Sequence, residues 1–485
     1  MNFPWMTFIN FGAVSAALLA ATLVRAKIRF FQRFLIPNAL TAGFLLLIFY
    51  NYLAPRIGMS QEDLGAFAYH LLNLSFIAMT LRKPVPRRSA KDQGPGGKTS
   101  TPKQPRGRVL SLAVLVLSQY AVQAVIGLAL TFLLISTAMP DLFPTIGYLV
   151  PLGFSSGPGQ AYAIGQVWID YGFEGAGSVG LTFAAIGFLW ACFGGVYLIN
   201  VGIRRGWIKP GEFNLRENRL RNGFFKKDIE LPVGSRLTTE TEAIDTMAYN
   251  AAVVLFVYLL AYLVLRLLTF LLSFAGSAGN DLASSLWGIA FIFCALTAMA
   301  VRRITSAAKI NHTFDSGSLT RVAGLSIDFM VAASLGAISI VVVKAYWLPI
   351  LVMSVVAGIV SFVLVPWAGS RMFPDYRFGR MLIVFGAATG TLATGLALLR
   401  VIDPDFKSPV AGDYMPATAI VFVFAIPLIL QIHLPAYAYR DSNPRLYWLS
   451  FGICLLYVLL TGAAYVLLAK KRAFKRLGKL WLSED

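Results

Sequence analysis

Residues 153–165 read GFSSGPGQAYAIG. The segment lies among long apolar runs, yet it holds four glycines, two serines, Pro158 and Gln160. Glycine weakens a helix interior, and proline removes a hydrogen-bond donor and clashes with the preceding turn. Lipid offers no partner for backbone groups freed in this way. Such a stretch is tolerated at membrane depth only where protein buries it or where it lines a cavity.

The surroundings are those of a membrane protein. The chain has 485 residues, of which 57% are hydrophobic and 13% charged, and its mean hydropathy is +0.68. Soluble domains carry about 25% charged residues. Apolar runs of roughly 20 residues, enough to cross a bilayer as a helix, predict spans over 4–24, 34–54, 64–82, 109–137, 176–203, 247–274, 282–301, 321–343, 346–368, 414–434 and 446–469. Backbone satisfaction in lipid makes this an all-α polytopic bundle and not a barrel. The first run follows MNFPW with no basic region before it, so it reads as a retained helix and not a cleaved signal.

Two further segments, 141–170 and 378–403, are too glycine-interrupted for ordinary spans and read as re-entrant hairpins. With the N-terminus outside, this topology places 37 of the 42 Lys/Arg in the inside connections, including 82–108, 204–245 and the C-terminal tail. That is the asymmetry the positive-inside rule describes, and it accounts for the net charge of +19 without nucleic acid. The 83–108 stretch reads as a flexible basic spacer. Cys192, Cys294 and Cys454 fall in separate apolar runs, and no metal-ligand spacing links them to His70, His312 or His433.

The odd stretch recurs. GFSSGPGQAYAIGQVWID at 153–170 aligns without gaps with GAATGTLATGLALLRVID at 386–403, a constant offset of 233 residues. Each copy follows four spans and precedes a fifth. Five is odd, so the halves lie inverted in the membrane. The chain divides into a first repeat, 1–203, a connector, 204–245, a second repeat, 246–434, and an additional helix with a basic tail, 435–485. Paired interrupted helices in inverted repeats mark the site of a secondary transporter. Gly153–Gly157 and Gly386–Gly390 are also small-xxx-small spacings that serve helix packing; the matched copies, each closing on Ile-Asp, favour a site.

The candidate solute ligands are Ser155, Ser156, Gly157, Gly159, Gln160, Thr389, Gly390, Thr391 and Thr394. Glycine allows close backbone approach, half-helix N-termini favour an anion, and freed carbonyls suit a hard cation such as Na⁺. Asp328, an intramembrane carboxylate, and Asn73, in the equivalent span of the first half, are candidates for cation coupling. Asp170 and Asp403 read as residues at the water boundary, and Arg266 as a snorkelling side chain.

At these residues the chain resembles the sodium/glutamate symporter family. IPNALTAGFL, from Ile36 to Leu45, matches that family's second-span element. Residues Ser155, Ser156, Gly157, Pro158, Gly159 and Gln160, followed by Tyr171, Gly172 and Phe173, match its first hairpin and aromatic-Gly-Phe turn, and FGAATGTLATG, Phe385 to Gly395, its second. The chain has Pro158 where the family has a histidine, and Asn38 where it has a glutamate after Ile-Pro. The resemblance spans most of residues 10–430. It implies inverted five-helix repeats, a homodimer, and sodium-coupled dicarboxylate uptake by a moving domain.

The expected function is sodium-coupled symport of a small organic anion, such as a glutamate-like amino acid or a carboxylate, across a bacterial inner membrane. No bound cofactor or structural metal is expected. The alternatives are a membrane-embedded enzyme acting on a lipid-linked substrate, and a channel or scaffold. Asp141, Glu174, Asp403 and Asp405 are too scattered in sequence to support the enzyme.

Overall fold

The computed structural model describes residues 5–34, 36–82, 106–208, 234–403 and 408–482. The 83–105 part of the basic spacer and the 209–233 part of the connector lie outside the described residues. Ten helices among the described residues are long and apolar enough to cross a membrane, which makes this an integral membrane protein of helical architecture.

In chain order the principal helices are α1 (Trp5–Lys27), α2 (Asn38–Tyr52), α3 (Gln61–Leu81) and α4 (Arg106–Thr137). Then come α5 (Ile146–Ser156), α6 (Pro158–Val167) and α7 (Ala176–Arg204). The second half holds α8 (Thr246–Ser273), α9 (Gly276–Gly288), α10 (Ala290–Ala307), α11 (Ser316–Gly336) and α12 (Trp347–Met372). It ends with α13 (Arg377–Thr389), α14 (Leu392–Ile402), α15 (Val410–Leu430) and α16 (Pro444–Ala469).

Helix starts follow local chemistry. Ser60, Asp245, Asp315, Thr391 and Asn443 each accept a backbone N–H of the first turn they precede, which satisfies one of the donors a helix start leaves free. Burial pushes the Asp315 carboxyl up, but hydrogen bonds from Ser318, Gly317 and Arg236 outweigh it and hold the group below its ordinary value.

The structure moves several predicted boundaries. The span expected at 282–301 is divided at Ile289 into α9 and α10. The span expected from 34 starts at Asn38, because Ile36–Pro37 interrupts it. The span expected at 321–343 starts five residues earlier, at Ser316, and stops at Gly336. Asp403 is covered by protein. It is 6% exposed, and its Oδ2 accepts from the Ser408 N–H at 2.9 Å and from the Ser408 hydroxyl. Asp170 is exposed, as expected.

Two layers of helices form. α1, α2, α3, α8, α10 and α11 pack on one another, with α3 lying along α11. α4 packs against α12, α15 and α16 on the other side. Of the interrupted helices, α5 packs on α4 and α13 on α12 in the second group, while α6 packs on α3, α9 and α11. At the base of α13, the buried Arg380 bonds Asp413 of α15 at 2.7 Å, while Asp375 bonds Arg108 of α4 at 2.8 Å. Residues 470–482 fold back beneath this base. Arg371, fully buried, donates to the carbonyls of Lys475, Arg476 and Lys479 at 3.2, 2.8 and 2.9 Å. Trp481 stacks on Trp207 with centroids 5.0 Å apart.

Candidate functional site

Each interrupted segment is a pair of helices with a break of defined geometry. Between α5 and α6, Gly157 sits at φ +94, a conformation that L side chains avoid. The last turn of α5, Leu152–Ser156, is widened into a π-helix, a feature frequent at functional sites. The chain enters α5 and leaves α6 at the same end, since Phe143 and Phe173 stack with centroids 5.0 Å apart. Between α13 and α14, Gly390 and Thr391 are non-helical. These arms touch backbone to backbone: a Cβ built on Gly386 would stand 2.7 Å from the Cα of Gly395.

Helix α7 serves as a ruler for both pairs. A Cβ on its Gly177 or Gly180 would meet α6, at Tyr162 or Ala161. One on Gly187, farther along, would stand 2.6 Å from the Thr389 carbonyl and 3.1 Å from the Phe154 ring. Beyond it, Gly194, Gly195 and Gly202 face Phe385, Leu398 and Phe378 of the second pair. The two pairs therefore approach from opposite ends of α7, and their breaks meet near its middle. A Cβ on Gly157 would lie only 2.7 Å from Cγ2 of Thr391.

A polar cluster joins the breaks. Gln123 of α4, 1% exposed, donates through Nε2 to the Ala388 carbonyl at 2.8 Å and to Ser361 Oγ of α12 at 3.0 Å. Ser155 Oγ donates to Gln123 Oε1 at 2.8 Å and lies 3.2 Å from the Ala388 carbonyl. One turn earlier on α4, Gln119 is equally buried, and neither amide atom has a partner among the described residues. Both glutamines escaped the sequence reading. Their signal was the QYAVQ spacing, two amides four residues apart in an apolar run and so on one helix face.

Of the sequence candidates, Ser155, Gly157, Thr389, Gly390 and Thr391 are at this junction. Thr389 Oγ1 is spent on the Phe385 carbonyl at 2.7 Å. Thr391 Oγ1 caps α14 and lies 3.2 Å from Thr394 Oγ1. Thr394 faces a small cleft of about 20 Å³ with Pro37 and Cys192. Gly159 turns away, toward Leu72 of α3 and Met330 of α11. Ser156 and Gln160 are half-buried. Asn73 is not at the junction; its amide reaches Tyr258 of α8 at 3.4 Å. Asp328 is exposed on α11 and is absent from the contacts at the breaks.

Among the described residues, no charged side chain takes part in the contacts at the breaks. The N-termini of α6 and α14 and the C-termini of α5 and α13 all converge there. Helix N-termini attract anions and C-terminal carbonyls attract cations. The arrangement is suited to holding a small anion next to a cation. No protein-family model, curated protein or solved structure matches this chain.

Proposed function

We propose that the protein is a secondary active transporter that moves a small organic anion, glutamate-like or carboxylate, together with Na⁺. The observation that carries this reading is the meeting of two helix breaks, Gly157 against Thr391, reached from opposite ends of α7. Broken helices that meet at a repeat interface bind substrate and coupling ion in such transporters.

The inverted repeat draws support from the packing. α1 on α2 corresponds to α8 on α10, and α2 on α11 corresponds to α10 on α3. α4 on α15 corresponds to α12 on α7. α3 with α11, and α4 with α12, pair directly, as elements straddling a two-fold axis would. In this reading α5–α6 and α13–α14 are re-entrant hairpins, and the resemblance to sodium/glutamate symporters points the same way. The connector side is cytosolic and the N-terminus external. A cysteine replacing the exposed Lys309 should react with an impermeant thiol reagent in inside-out vesicles and stay unlabelled in right-side-out ones. Labelling from the outside sinks the topology.

Sodium coupling has a direct test. Solute affinity should rise about tenfold when Na⁺ replaces choline at constant ionic strength, and Na⁺ affinity should rise by the same factor with solute present. Calorimetry on the purified protein reads both. Equal solute affinities in the two buffers would remove sodium and leave the proton as the coupling ion.

A further inference from the structure

A cavity of about 450 Å³ opens beside the end of the connector and runs along α11, lined by Gly234, Gly317, Thr320, Arg321, Gly324 and Leu325, and closing on Asp328. Asp328 is the thirteenth of the 21 residues of α11, because the Asp315 cap starts that helix at Ser316. From Gly317 to Asp328 the helix rises roughly 16 Å, at about 1.5 Å per residue. That is about half of a hydrocarbon core roughly 30 Å thick. Among the described residues, the other carboxylates of the long spans, Glu62, Asp63 and Asp413, lie in first turns.

The short α2 leaves this face of α11 open. It covers only the far end: a Cβ on Gly43 would stand 2.6 Å from Leu335, one on Gly336 would stand 2.8 Å from Leu46, and Asn51 donates to the Ile338 carbonyl at 2.9 Å. Because Ile36–Pro37 delays its start to Asn38, α2 begins part-way along α11 and runs beside it toward Ile338. Glycine keeps the groove clear, since a Cβ on Gly324 would meet nothing within 4 Å.

A carboxylate at mid-membrane depth is costly against lipid and is found facing protein or a water-filled cavity. We propose that the cavity is a water-filled vestibule from the connector side and that Asp328, at its end, is a reversible protonation site. One carboxylate oxygen takes a proton from vestibule water and returns it there, and no other bond changes. Among the described residues, Arg321 is the only other charged group in the lining. The charged and histidine side chains of helices packed on α11 (Arg25, Lys27, Glu62, Asp63, His70, Arg204 and Arg266) lie off it, as do the tyrosines and Cys192 of those helices. Any coupling of this proton to solute movement rests on the transport reading; the site itself does not.

Two measurements on the full-length protein test this. Leu325 and Leu351 are 55% and 53% exposed, so exposure alone does not separate them. In sealed vesicles, L325C should react with an impermeant thiol reagent from the connector side, while L351C, on α12, should not. If L325C is inert, the groove is filled by lipid and the proposal fails. Infrared difference spectra across a pH titration should show a protonated-carboxyl band that Asp328→Asn removes and Asp328→Glu restores. A band unchanged in Asp328→Asn would overturn the assignment. Both positive results without solute binding would leave the proton site standing and reject the transporter.

Discussion

Gly157→Leu is expected to weaken solute binding by roughly 100-fold. A non-glycine residue at this φ of +94 and ψ of 173 costs about 1–3 kcal/mol. The new Cβ would lie 2.7 Å from Cγ2 of Thr391, and forcing extra atoms into a packed site costs about 1–3 kcal/mol more. Together these are about 3 kcal/mol, which corresponds to roughly two decades in affinity. Calorimetry with a panel of amino acids and carboxylates reads the loss. A graded pair of variants separates the two terms. Gly157→Ala carries the backbone cost and the contact with Thr391, while adding Thr391→Ser deletes the methyl group and should recover part of the binding. Wild-type affinity in Gly157→Leu would reject the junction as the solute site.

Gln123→Met is expected to lower stability by about 1–2 kcal/mol, the upper range for interhelical polar contacts in membranes, and to weaken solute binding by roughly tenfold. Methionine keeps the approximate length of the side chain and removes its hydrogen bonds. Ser155 Oγ, Ser361 Oγ and the Ala388 carbonyl would then lose the amide that now joins them. A buried polar group left without a partner costs more than a bond is worth when intact. The decisive measurement is a double-mutant cycle with Ser155→Ala, read by thermal unfolding and by calorimetry. Shared contacts should make the two substitutions non-additive. Strict additivity, with solute affinity unchanged, would mean that Gln123 does not couple the two breaks.

The additional C-terminal segment reaches both interrupted helix pairs. On the side of α5, Tyr148 meets Ser450 of α16. At the opposite end, Arg371 and Arg377 hold the carbonyls of the tail as far as Leu482, and Trp481 meets Phe378 of α13 edge-on at 5.8 Å. The segment is thus fastened to the bases of both interrupted helix pairs. Its basic composition marked it as a tail in the sequence, and its apolar run as a span; neither property discloses what it touches.

What the sequence determined by itself was local or repetitive. Apolar runs of sufficient length must become helices in lipid, because nothing else satisfies their backbone. Glycine and proline break a helix wherever they fall, so both breaks, at Gly157 and at Gly390–Thr391, were legible from the paired motifs. The boundaries that shifted are those set by capping, such as the start of α11 at Ser316 behind Asp315, which a hydropathy window cannot resolve. That shift makes Asp328 the thirteenth residue of α11, where the span expected at 321–343 had it eighth. Only the tertiary structure decided which polar groups meet. Gln123 and Ala388 are 265 residues apart, and Arg371 and Lys479 are 108 apart. Their encounters depend on how the glycine faces of α7 position α6 on one side and α13 on the other. That packing is a property of several helices at once, and no single segment of the chain encodes it.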